Sequence, residues 1–290
     1  MQLEDHIGDV LRKMQTIFQI DAQEMIAASG LERSEWKNWI KNGILRDESK
    51  GKVKWSELGS LIGVESQRLK AIAEGWEPPA VDFEKWPGLA NIQNYEEENS
   101  SQSSEPGYVN SYLLWSDEKK EAVLFDPGWK ATKILAFLES KNLKLSQIFL
   151  THSHRDHIQA KAELQQLFPE ASFFDYNFYK DFASIPKQSF GPLSIQPCLA
   201  PGHSADHVVY RVDGFKGHSN MALIVGDCLF SGSLGYPFHN RNQLLETLRK
   251  QVFSLPPETL LCPGHGPLTI LQTELDHNPF ASHNSLKTDT

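Results

Sequence analysis

Apolar side chains recur at three- and four-residue intervals through the first eighty residues, the period of a helix with one buried face. The pattern predicts helices over residues 7–18, 21–29, 33–40, 55–62 and 65–74, with Gly30, Gly43, Gly51 and Gly63 in the breaks between most of them. Two of these segments, 22–43 and 55–72, have the outline of a helix-turn-helix with a glycine at the turn. Pro78, Pro79 and the pair Pro87 and Gly88 then stop helix formation, which marks a linker near 76–90. The expected organisation is a helical domain over residues 1–80 and a larger domain over 81–290.

Beyond the linker the pattern turns mixed. A short strand is expected near 90–93, followed by an acidic, serine-rich stretch at 96–107 that reads as a mobile loop. Residues 108–115 and 122–125 alternate as the arms of a hairpin. Further strands are expected at 146–150, 171–174, 193–198, 208–212, 222–225 and 260–261. Helices are expected at 131–141, 157–167 and 242–253. Strands interleaved with helices over about two hundred residues imply a layered α/β domain.

Composition narrows the function classes. With 40% apolar and 22% charged residues the chain has the make-up of a water-soluble globular protein, and a net charge of −9 argues against coating nucleic acid or anionic lipid. No apolar run approaches the length of a bilayer span. The first ten residues carry acids where a secretory signal would carry lysines. Cys198, Cys228 and Cys262 are odd in number and widely spaced, which suits a reducing compartment. A cytoplasmic protein with no membrane partner is expected.

The chemistry is concentrated in the run THSHRDH at 151–157, directly after a predicted strand. Three imidazoles and a carboxylate this close are costly to bury unless paired or metal-bound. His152 and His154 can face one point while Asp156 and His157, at the start of the next helix, face a second. Three more pieces follow at strand ends: His203 after Gly202, Asp227 after Gly226, and His265 between Gly264 and Gly266. In each, glycine lets the backbone turn sharply. Two histidine-rich shells bridged by Asp227 would suit zinc, iron or manganese. The remaining histidines, His207, His218, His239, His277 and His283, are expected to be surface or internally satisfied side chains, and Cys228 a small buried one.

These pieces, in this order, resemble the metallo-β-lactamase fold superfamily over roughly residues 90–280, with His152-x-His154-x-Asp156-His157 the most specific element. The resemblance implies an αββα sandwich preceded by a small all-α, helix-turn-helix-like domain. It implies a first metal on His152, His154 and His203, a second on Asp156, His157 and His265, and Asp227 shared between them. Asp126, within LFDPG at 124–128, matches a position that buttresses the ligand loop. GDCLFSGSLG at 226–235 and NPF at 278–280 resemble the glyoxalase II-like branch of hydroxyacylglutathione hydrolases. Two departures stand out. Tyr236, Pro237, Phe238 and His239 replace the Arg-Thr-Asp common in that branch, and the chain ends soon after Phe280, without that branch's glutathione-contacting helices.

The expected reaction is hydrolysis of a thioester or activated ester by a hydroxide bridging two divalent ions, most simply zinc, with Asp156 orienting the nucleophile or shuttling its proton. Tyr236, His239 and Arg155 are the candidates for substrate contact. Competing expectations are a mononuclear iron persulfide dioxygenase, a lactonase, and a metabolite-sensing DNA-binding regulator. The last is the weakest, because residues 1–80 hold slightly more acids than their eleven Lys and Arg. For the helical segment a packing, dimer-forming or lid role is expected first, and a homodimer is left open.

Overall fold

The computed structural model describes residues 2–96, 107–182, 185–215 and 220–282. Most of the stretch expected as a mobile loop at 96–107, together with His218 and His283, lies outside them.

The helical segment forms as its periodicity predicts. Helix α1 spans Ile7–Phe18, started by a reciprocal cap between His6 and Asp9, and buries Ile7, Val10, Leu11, Met14 and Ile17 along one stripe. Helices α2 (Ala22–Ser29), α3 (Arg33–Asn42), α5 (Trp55–Ile62) and α6 (Ser66–Ala73) follow, with a single turn, α4 (Asp47–Lys50), that the periodicity did not predict. Gly30, Gly43 and Gly63 end their helices in the left-handed region, at φ of 75°, 68° and 82°.

Two sheets make up the rest. Strands β1 (Leu89–Tyr95), β2 (Tyr108–Ser116), β3 (Glu121–Phe125), β4 (Lys144–Phe149) and β5 (Ser172–Phe174) pair in that order, antiparallel up to β3 and parallel beyond it. The second sheet runs β11 (Thr269–Ile270), β10 (Leu260–Pro263), β9 (Ala222–Gly226), β8 (Val208–Asp213), β7 (Leu193–Leu199) and β6 (Gln188–Phe190). Only β9 and β10 are parallel within it.

Alternation along the strands assigns the layers. In β9, Ala222 and Ile224 join Tyr112, Phe125, Phe149 and Tyr210 in the core between the sheets. Leu223 and Val225 face the other way, into a cluster with α11 (Arg241–Thr247), α12 (Leu271–His277) and the helices of the first eighty residues. Buried on both faces, β9 is apolar throughout, as a central strand between two covered layers must be. The outer face of the first sheet packs on α7 (Thr132–Ser140) and α9 (Lys161–Leu167) through Leu113, Leu124, Ile148, Ile134, Leu138 and Leu164. The result is the expected αββα sandwich, with α1–α6 joined to one helical layer through a shared apolar cluster. Among the described residues no helix is long and apolar enough to cross a membrane.

Three local expectations are corrected. The helix expected over 157–167 is split into α8 (Arg155–Ile158) and α9, because Gly128 takes over the backbone. Its N–H bonds the His157 carbonyl at 2.9 Å and its carbonyl accepts from Ala160 N–H at 2.9 Å. The helix expected over 242–253 finishes as a π-helical turn, Leu248–Val252. The strand at 260, expected to be the last, is followed by the short strand β11, which pairs with it antiparallel.

Candidate metal centre

Every candidate ligand sits where a strand of either sheet gives way to a turn, at one edge of the sandwich. His152, His154, Asp156 and His157 follow β4, His203 follows β7, Asp227 follows β9 and His265 follows β10. Ligand atoms of His152, His154, His203 and Asp227 lie within 4.8 Å of one another, and so do those of Asp156, His157 and His265. Asp227 reaches both groups. Its Oδ2 is 3.5 Å from His203 Nε2, 3.9 Å from His152 Nε2 and 3.6 Å from His265 Nε2, while its Oδ1 is 3.4 Å from His157 Nε2. Asp156 Oδ2 lies 3.1 Å from His265 Nε2 and 3.6 Å from His157 Nε2.

Hydrogen bonds behind the rings decide which nitrogen faces inward. His157 Nδ1 bonds Asp126 Oδ2 at 2.8 Å, His203 Nδ1 the Tyr236 carbonyl at 2.8 Å, and His265 Nδ1 the Tyr108 carbonyl at 2.7 Å. Carbonyl and carboxylate oxygens only accept, so each Nδ1 carries the proton. For His152 the partner is Thr151 Oγ1, at 3.0 Å, whose own proton goes to Asp126 Oδ2 at 2.7 Å, so this Nδ1 also donates. Four imidazoles therefore present an Nε2 lone pair to the same small space as two carboxylates. His152 Nε2, His157 Nε2 and Asp227 Oδ1 are buried there without a hydrogen-bond partner. His154 Nδ1 joins them 3.0 Å from His203 Nε2. Convergent lone pairs with no donor are costly to bury, and a cation is the group that satisfies them.

The electrostatics agree. Burial alone would lower the His157 pKa, but the Asp227 and Asp126 carboxylates outweigh it and hold it well above the usual value. At His265 the same opposition of burial against Asp227 and Asp156 ends at about 9. Burial would raise the Asp227 carboxyl, yet His265 and His157 hold it well below the ordinary range. His152 and His203, whose burial is not outweighed, are pushed down. The field thus favours positive charge among these groups, which a proton on Nε2 or a metal ion would supply in competition.

Asp126 is the hub of the support. It takes φ of 50°, unusual without glycine, and its carboxylate accepts from Thr151 N–H, Thr151 Oγ1 and His157 Nδ1. His207, expected to be satisfied internally, is buried, stacks on His152 with ring centroids 4.9 Å apart, and accepts the Asp227 N–H at 3.2 Å. Cys228 is buried beside it.

Gly264 leaves no room for a side chain between Asp227 and His157. A Cβ there would come within 2.1 Å of Asp227 Oδ1 and 2.7 Å of His157 Cε1. Gly264→Ala should weaken zinc binding by about a hundredfold in chelator competition while the circular dichroism stays native. Unchanged affinity would mean that the carboxylate does not serve where the structure places it.

The three substrate-contact candidates separate. Tyr236 contributes its carbonyl to His203, and its hydroxyl lies 3.4 Å from Thr16 Oγ1 of α1. His239 is exposed, and its backbone N–H reaches the His203 carbonyl at 3.2 Å. Arg155 turns away from the ligand cluster, to Gln159 Oε1 at 2.9 Å and the Trp129 ring. Phe238, not singled out from sequence, is 69% exposed with its ring 5.9 Å from that of His154 and 5.5 Å from that of His203. The first residues of the chain also reach the site. Lys13 of α1 is paired with Asp5 and donates to the Leu234 carbonyl at 2.6 Å, in the loop between Asp227 and Tyr236. Glu4 packs beside Gly266, and burial pushes its carboxyl up to about 7, with His265 opposing and Asp5 and Asp227 adding to the rise. Nothing in the local sequence marks either residue, because both act across more than two hundred positions.

Known proteins resemble this chain in sequence and in fold. The family model of the metallo-beta-lactamase superfamily matches residues 104–176. The probable metallo-hydrolase YqgX of Bacillus subtilis is 30% identical over 209 residues, which is 62% of this chain and 96% of that protein. The hydroxyacylglutathione hydrolase GloC of Haemophilus influenzae is 29% identical over 205 residues, 61% of this chain and 94% of that one. Among solved structures, the BLEG-1 B3 metallo-beta-lactamase superposes with a TM-score of 0.53 at 28% identity, over 67% of this chain and 99% of its own. The match to the superfamily's model, together with near-complete coverage of YqgX at 30% identity, means that this chain belongs to the metallo-beta-lactamase superfamily.

Proposed function

We propose that the protein is a metal-dependent hydrolase that holds two divalent ions and cleaves a thioester or an activated ester. The observation that carries this is the convergence of four Nε2 lone pairs on Asp227, each ring locked by a hydrogen bond on its far side. His152, His154 and His203 would hold one ion, Asp156, His157 and His265 the other, and Asp227 both. When bound, such a pair brings the pKa of a shared water to roughly 7 and polarises a carbonyl. The residues supply the rest. Asp156, partly exposed and held to His265, is placed to accept a proton from the attacking water. A thiol leaving group needs little protonation, which fits a site whose inward-facing groups are almost all acceptors.

A thioester is further supported by relatives named hydroxyacylglutathione hydrolase, at about 30% identity. The mononuclear reading is disfavoured by the second cluster, which is as tightly drawn together as the first. DNA reading by residues 1–80 is disfavoured by α1, which spends Lys13 on the loop behind the site.

Elemental analysis of the purified protein, with a panel of thioesters, lactones and β-lactams, tests the proposal. Two equivalents of metal per chain and thioester turnover lost on chelation are expected. One iron per chain with oxygen consumption in place of hydrolysis would overturn it.

A further inference from the structure

Beside the ligand cluster, between α1 and the loop after Gly235, lies a cleft of about 700 Å³ lined by Asp9, Arg12, Thr16 and Ile20 on one wall and by Tyr236 and Phe238 on the other. That volume is in the range of sites for small organic ligands. Phe238 is shared by both places, because its exposed ring also borders His154 and His203. The ring thus stands between the ligand cluster and the cleft. The Thr16 and Tyr236 hydroxyls, 3.4 Å apart, tie the two walls together.

Arg12 sets the chemistry. Its Nη2 donates to Asp9, and no partner is found among the described residues for its other N–H groups, on a side chain that is 54% exposed. Lys13, by contrast, is committed to Asp5, to the Leu234 carbonyl and to the Phe230 ring. The cleft therefore offers an aromatic and aliphatic surface beside the ligand cluster and, on its α1 wall, a guanidinium fork able to grip a carboxylate.

We infer that this cleft is the subsite for the substrate's leaving group: a thiol moiety with an apolar stem that ends in a carboxylate, held by Phe238 and Tyr236 along the stem and by Arg12 at the end. The helical segment thereby selects the substrate. The assignment of this moiety as a leaving group rests on the hydrolase proposal; the binding of the stem and carboxylate does not.

The experiment has two arms, both on the full chain loaded with metal. In the binding arm, S-methyl-3-mercaptopropionate and its amide are titrated into the protein by calorimetry. The carboxylate should bind roughly fivefold more tightly than the amide. Arg12→Gln should bring that ratio to about one, and Asp9→Asn, which frees the guanidinium of its competitor, should widen it. Equal binding of the two compounds, or a ratio untouched by Arg12→Gln, overturns the subsite. In the turnover arm, the acetyl thioesters of 3-mercaptopropionate and of its amide are compared. The same preference should appear in kcat/KM and, in Phe238→Ala, as a raised KM with kcat held. Turnover of neither thioester, with the binding preference intact, would overturn hydrolysis and leave the subsite standing. Turnover without preference would overturn the subsite alone.

Discussion

Asp227→Ala is expected to empty both metal positions and to abolish hydrolysis, by a thousandfold or more in kcat/KM. The reason lies in geometry. His152, His203 and His265 all approach one of its oxygens and His157 approaches the other, so this one carboxylate reaches both groups. Alanine removes that carboxylate from between the two sets of imidazoles and leaves like-natured lone pairs facing each other. Asp227→Asn separates shape from charge. It keeps the oxygen that could face one group but turns an N–H2 toward the other, so about one equivalent of metal should remain. Metal content measured alongside turnover checks both variants. An alanine variant that still carries two equivalents would show that the bridging position is not needed.

Asp5→Ala is expected to destabilise the chain by about 3–5 kcal/mol, the cost of leaving a buried charge without its partner. Asp5 and Lys13 side chains are each only 10% exposed. The ammonium would be left with the Leu234 carbonyl and the face of Phe230. Lys13→Met should be similarly costly and should in addition weaken metal binding by roughly tenfold or more, because the loop from Asp227 to Tyr236, whose carbonyl fixes His203, loses its anchor. Replacing both residues by apolar ones should recover much of the stability but not the metal affinity. Urea midpoints and chelator competition on the three variants give the result. A loss near 0.5 kcal/mol, as for an ordinary surface pair, would mean that the helical segment is not braced through this pair.

The same residues mark how far the chain could be read without coordinates. The run at 151–157 and the three glycine-flanked turns were legible because each ligand is signalled within a few residues of itself: a strand, a sharp turn, then a side chain that has no reason to be apolar. Asp126 was legible by its place in LFDPG, although its φ of 50° and its three accepted hydrogen bonds were not. Phe238 was passed over, since an exposed phenylalanine has no local feature that says which rings it will border. Arg155 shows the opposite: its neighbours in sequence face the centre, but its own side chain donates to Gln159. The split after Ile158 came from Gly128, a residue thirty positions away that competes for helical hydrogen bonds.

By itself the sequence determined the helical period of the first eighty residues, the interleaving of strands and helices beyond the linker and the identity of the residues gathered at the sheet edge, because hydrophobic period, turn chemistry and ligand type are all properties of short stretches. The αββα order of layers was legible only through the family resemblance. The tertiary structure decided which ring nitrogen faces inward, that Asp227 reaches both groups, and that the helical segment forms one wall of the cleft. Those depend on partners brought together from 33 to 221 positions apart: the Tyr108 and Tyr236 carbonyls behind His265 and His203, and Lys13 under Leu234. Hydrogen bonds between such distant groups leave no trace in local composition, since what selects them is the packing of the two sheets and the helices against one another.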